Sequence, residues 1–175
     1  MKTLNDQLIQ YARYHRDPRN IATHFIGIPM ITLAIAVLLS RPSWGVVSPA
    51  LVLAAAFAVY YLVLDLRYGL AMSALLAAAL WAASDLASGD TARWLAWGVG
   101  LFVVGWIFQF VGHWWEGRKP AFVDDLIGLV IGPLFVVAEA GFRLGWRREV
   151  EQAVEAAAGP VARRDQRTLA PEGHG

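Results

Sequence analysis

From Ile21 to Ser40 the chain carries no Asp, Glu, Lys or Arg, and three more charge-free apolar runs follow it. A helix needs about 20 mostly apolar residues to cross the hydrocarbon core of a bilayer. Trp44–Leu64 meets that length and ends at Asp65 and Arg67. Tyr68–Ser84 is shorter and stops at Asp85, and Trp94–Trp115 is uncharged unless His113 is protonated. Arg41-Pro42-Ser43 and Ser88-Gly89-Asp90 read as connecting loops. Charged residues make up 17% of the sequence and hydrophobic ones 57%, whereas an ordinary soluble domain has about a quarter of its residues charged. The chain has no Cys, so disulfides, iron–sulfur clusters, thiolate haem and Cys-type zinc sites are excluded. The first twenty residues are polar and no cleavable signal is expected.

A fifth apolar stretch, Phe122–Phe142, starts with Asp124 and Asp125, contains Gly128 and Gly132-Pro133, and carries Glu139. Pro removes a backbone donor and Gly loosens the turn, so the stretch reads as two half-helices that enter the bilayer and return. The fold expected is all-α and integral to the membrane, with four transmembrane helices plus a re-entrant helical hairpin. Five or six transmembrane helices are the alternative. Basic residues gather on the cytoplasmic side of membrane proteins. With four spans and a hairpin, thirteen of the fifteen Lys and Arg fall on one side, leaving Arg41 and Arg93 opposite. A true fifth span would move six arginines across. Residues 1–148 are read as one membrane domain, and residues 149–175 as an Ala/Arg-rich tail that becomes disordered after Gly159-Pro160.

That topology brings three histidines to one membrane face. His15 and His24 flank the start of the first span and His113 lies at the end of the fourth; a miscount by one span would separate them by about 30 Å. Gln109, His113 and Glu116 stand at i, i+4 and i+7, so they share a helix face. His113 and Glu116 have the three-residue spacing that lets two ligands reach one ion. Asp17-Pro18-Arg19-Asn20 reads as a turn, with Asn20 the expected N-cap of the first span; it would fold His15 back toward His24. Tyr60, Tyr61 and Asp65 close the second span near the same face. Imidazoles with one carboxylate suit non-haem Fe(II), and zinc would accept the same donors. There is no H-E-x-x-H, G-x-S-x-G or P-loop to support a protease, lipase or NTPase.

Two segments carry a family resemblance. HRDPRNIATHFIGIP and QFVGHWWEGRKPA resemble the two signatures of the membrane 2-hydroxy fatty acid dioxygenase family. The resemblance spans roughly residues 4–148. It implies α-oxidation that depends on Fe(2+): a 2-hydroxy fatty acid reacts with O2 and loses one carbon. It carries the family histidines onto His15, His24 and His113, with Asn20, Gln109 and Glu116 also matching. The ligand set expected is His15, His24 and His113 with Glu116, whose part as ligand or support stays open, and Asn20, Gln109 and Asp65 are expected to support it. Arg16, Arg19 or Lys119 could neutralise the substrate carboxylate.

The partners expected are therefore a 2-hydroxy long-chain fatty acid, O2 and the lipid bilayer, with homo-oligomerisation open and no nucleic acid. A multi-pass protein of a bacterial inner membrane is expected, given thirteen Arg to two Lys, with N-terminus and site cytoplasmic. Three other readings compete. A non-catalytic lipid-binding or assembly protein would use the histidines structurally, a bis-His haem protein would transfer electrons, and a zinc-dependent lipid hydrolase would turn over without O2.

Overall fold

The computed structural model describes residues 2–41 and 43–164, and these residues are helical with no strand among them. Seven α-helices follow in order: α1 (Leu4–Ala12), α2 (Pro18–Leu39), α3 (Pro49–Leu64), α4 (Leu66–Leu86), α5 (Thr91–Glu116), α6 (Ile127–Arg143) and α7 (Arg148–Ala158), with a 3-10 turn at Ala121–Val123 before α6. The starts are written in the sequence. Thr3 and Asp6 form a reciprocal capping box on α1, and Ser48, Asp65 and Asp90 cap α3, α4 and α5 with their side chains. Proline stands in the first turn of α2 and of α3, where its missing N–H costs nothing.

The N-cap of α2 is Asp17 and not Asn20, because Pro18 starts the helix three residues earlier than expected. Asn20 is thereby turned inward and is fully buried. Helices α2, α4 and α5 have the length and apolarity of membrane spans. Their outward side chains, among them Leu70, Trp81, Val103 and Ile107, leave large apolar surfaces exposed, which lipid satisfies and water does not. The second apolar run gives the shorter helix, 16 residues, since Trp44 and Val47 close a tight turn before Ser48. The third run instead extends to 21 residues.

The fifth stretch does not break at Gly132-Pro133; α6 runs through Pro133 as one helix. Gly132 serves close packing there, for an added Cβ would lie 3.0 Å from the Tyr11 hydroxyl. The bend comes later: α6 and α7 meet at 113° across residues 144–147. Arg147 takes a left-handed φ of 57° and Gly145 one of 73° in that turn. Nor does packing stop at 148/149, because Val150 and Val154 of α7 are buried in one core with Leu4 and Leu8 of α1 and Phe135 and Ala138 of α6. The remainder of the expected tail, residues 165–175, lies outside the described residues.

Helices α2 and α5 pack along their whole length, and glycines permit it. A Cβ on Gly27 would sit 2.7 Å from the Gly105 carbonyl oxygen, so these backbones touch directly. This contact sets His24 and His113 opposite each other.

Candidate metal centre

Each histidine is placed by a different element. His15 sits in the turn after α1, His24 nearly two turns into α2, and His113 in the last turn of α5. They meet: ring centroids are 4.5 Å apart for His15–His24, 4.8 Å for His15–His113 and 5.1 Å for His24–His113. All three are buried, and one donor atom from each lies within 4.8 Å of the others.

Two backbone carbonyls fix the tautomers. His15 Nδ1 lies 2.8 Å from the Tyr11 carbonyl oxygen and His24 Nδ1 lies 2.9 Å from that of Asn20. A carbonyl can only accept, so in each ring Nδ1 carries the proton. The two Nε2 atoms then face each other at 3.0 Å with lone pairs and no proton between them. That juxtaposition is repulsive in a buried site unless a cation lies against both. Two nitrogens about 2.1 Å from one ion and at right angles to each other stand about 3.0 Å apart, which is the observed spacing. His113 Nδ1 is also buried without a hydrogen-bond partner. The donor set thus fits a divalent transition metal. Burial, with the neighbouring His24 and His113 rings behind it, holds His15 neutral well below the ordinary imidazole range. Tyr11, which the sequence reading did not single out, stacks flat on His15 at 4.1 Å from one helical turn earlier.

Glu116, expected as a ligand, is engaged elsewhere. Both its oxygens accept from the Arg16 amide at 3.0 Å, and Oε2 also accepts from the Asp17 amide at 2.8 Å and from Asn20 Nδ2 at 3.0 Å. The carboxylate anchors the turn carrying His15 and is not among the three residues that converge. Asn20 serves twice, through its amide on Glu116 and its carbonyl on His24. Gln109 lies one turn from His113, buried, with Nε2 unpartnered and no bond to an imidazole. Asp65 supports no histidine: it caps α4 through Tyr68 N at 2.9 Å and pairs with Arg147 at 3.0 Å.

The three basic residues expected for a substrate carboxylate are already committed. Arg16 is buried against Glu139 at 3.0 Å, Arg19 forks onto Asp17 at 2.8 Å, and Lys119 pairs with Asp124 at 2.6 Å. Each partner carboxylate answers its charge. The pairing of Glu139 with Arg16 carried no sign in the sequence, since the two lie 123 residues apart.

A cavity of about 380 Å³ opens from the centre, within the usual range for ligand sites. His24, His113 and Tyr11 line one end, and Ile28, Ile35 and Leu39 carry it along α2. No Arg or Lys is among its described lining residues.

Comparison with known proteins gives this arrangement a family. The family model described as 2-hydroxy-palmitic acid dioxygenase Mpo1-like matches residues 1–144. The chain is also 36% identical over 155 residues to the 2-hydroxy-palmitic acid dioxygenase MPO1 of Saccharomyces cerevisiae, covering 87% of each. This chain belongs to the Mpo1-like family. No solved structure matches it. The Mpo1-like match contains all three histidines, Asn20, Gln109 and Glu116, and it ends before α7 begins. What α7 and residues 159–164 contribute therefore lies beyond the segment that the family model matches.

Proposed function

We propose that this Mpo1-like chain is a non-haem Fe(II)-dependent dioxygenase that shortens 2-hydroxy fatty acids by one carbon. The observation that carries the reading is the pair of carbonyl-locked imidazoles whose bare Nε2 atoms face each other at 3.0 Å, beside a third histidine and an apolar cavity. The reaction balances without an added reductant: the hydroxy acid and O2 give the shorter acid, CO2 and water. The carbon bearing the hydroxyl is oxidised to a carboxyl, its bond to the old carboxyl breaks, and O2 takes up the electrons. The ion, when bound, supplies Lewis acidity and reactivity toward O2.

The chain's own residues do the rest. The Tyr11 and Asn20 carbonyls keep both Nδ1 atoms protonated, which leaves Nε2 free to bind. Glu116 holds the Arg16–Asp17 backbone and with it His15. The cavity takes the acyl chain and excludes water, while the polar head lies at the histidine end, where Tyr11 and Gln109 can hydrogen-bond to it. The distribution of basic residues supports a cytoplasmic face for the N-terminus and the centre, in a bacterial inner membrane.

The test is iron content and O2 uptake of detergent-purified protein with 2-hydroxypalmitate. Iron-dependent uptake is expected, with release of the one-carbon-shorter acid. His24→Ala and His113→Ala are each expected to abolish both metal content and uptake. No iron-dependent uptake at any chain length would sink the proposal, and so would retained uptake in both variants.

A further inference from the structure

Glu116 is a wholly buried carboxylate, and a buried charge needs a cation as well as hydrogen bonds. The basic residues nearest in sequence do not answer it. Arg16, Arg19 and Lys119 are turned to Glu139, Asp17 and Asp124, and Arg118 donates to the Arg13 carbonyl at 3.2 Å. The guanidinium that reaches Glu116 comes from Arg164, with Nε 2.7 Å from Oε1.

The segment delivering it is tied down at each step. Helix α7 ends at Gly159, whose φ is 84°, and the chain turns back over the His15 turn. The Gly159 carbonyl accepts from Arg16 Nη1 at 3.3 Å, and the Ala162 amide donates to the Arg16 carbonyl at 3.0 Å. The Arg164 amide donates to Asp17 Oδ2 at 2.8 Å, and the Arg164 carbonyl accepts from Arg19 Nη2 at 3.1 Å. Five contacts converge on residues 16, 17, 19 and 116, which flank or hold His15.

We infer that Arg164 is a positioning residue for the histidine centre and that residues 159–164 form a strap over the turn carrying His15. This rests on the metal reading above only for its effect on binding; the holding of the turn is independent of it. Arg164 neutralises Glu116, Glu116 grips the Arg16 and Asp17 amides, and those amides fix His15. Without Arg164, Glu116 is drawn toward water and its grip loosens.

The experiment compares the full-length wild type with Arg164→Ala, Arg164→Lys and the exposed neighbour change Arg163→Ala, all in detergent. Amide hydrogen exchange at residues 16 and 17 is read without metal, and Co(II) affinity is read from the visible spectrum. Arg164→Ala is expected to speed that exchange and to weaken Co(II) by on the order of 10- to 100-fold, as loss of an outer support does elsewhere. Arg164→Lys should recover most of the affinity, and Arg163→Ala should match the wild type. Unchanged exchange and affinity in Arg164→Ala would overturn the inference; so would a lower melting temperature with affinity per folded molecule unchanged. If Arg164→Ala does not fold, Arg164→Lys decides: wild-type affinity supports the strap, and a loss as large as that from Glu116→Gln overturns it. A wild type that binds no Co(II) would sink the metal reading instead, and the exchange arm alone would then judge the strap.

Discussion

His15 and His24 owe their role to carbonyl groups that no motif records. The Tyr11 and Asn20 carbonyls lie one turn before each ring, and their acceptance of Nδ1–H leaves Nε2 bare. The histidines themselves were legible, because a count of spans puts them on one face and the spacing of two short motifs marks them. The duties of the charged residues were not. Sequence spacing offered Glu116 as a fourth ligand and Arg16 as a carboxylate receptor, but their partners lie 100 and 123 residues away and meet them only on folding. Glu116→Gln therefore separates ligand from anchor. It should retain one metal per chain while lowering stability by about 3 kcal/mol, since it unbalances a buried ion pair. Metal stoichiometry and chemical denaturation check this; loss of the metal with stability intact would restore Glu116 as a ligand.

At the scale of elements, the starts of α2, α4 and α5 were readable to within a turn, those of α3 and α6 came five residues later than their apolar runs, and the interruptions were not readable. Asp17-Pro18 is a cap followed by a first-turn proline, a stronger start than Asn20 offers. Gly132-Pro133 suggested a break, yet α6 continues and the glycine admits the Tyr11 ring; the real bend lies at residues 144–147, where Trp146 packs on Tyr68 at 4.7 Å. Asp17 also gives the start of α2 a pH dependence. Burial pushes its carboxyl up, but hydrogen bonds from Arg19 and the Arg164 amide outweigh this and bring it to about 2 from 3.8. A carboxyl depressed on folding stabilises above its unfolded value and ceases to as pH falls through its folded one. The contribution is complete above about pH 4 and disappears toward pH 2. Asp17→Asn should flatten that part of an acid-unfolding curve and leave the neutral-pH cap in place.

For the whole molecule, the all-helical membrane class followed from charge-free runs alone, whereas the cavity did not, because six helices and the 3-10 turn contribute side chains to it. Along α2 it reaches from His24 to Leu39, fifteen residues or about 22 Å at the helical rise. Small side chains, Ala36 and Ala50 among them, keep its far end open. If the acyl chain lies there, Ala50→Phe should shift the preference in kcat/KM toward shorter 2-hydroxy acids with metal content unchanged. Equal losses at every chain length would place the chain elsewhere.

Helix α3 has 16 residues, about 24 Å at the helical rise, against a hydrocarbon core of about 30 Å. A span that falls short in this way thins the surrounding bilayer or draws flanking side chains inward. Ala50, Ala54 and Phe57 of the same helix line the cavity, so if α3 crosses the bilayer, the accommodation of its short length falls against the cavity wall.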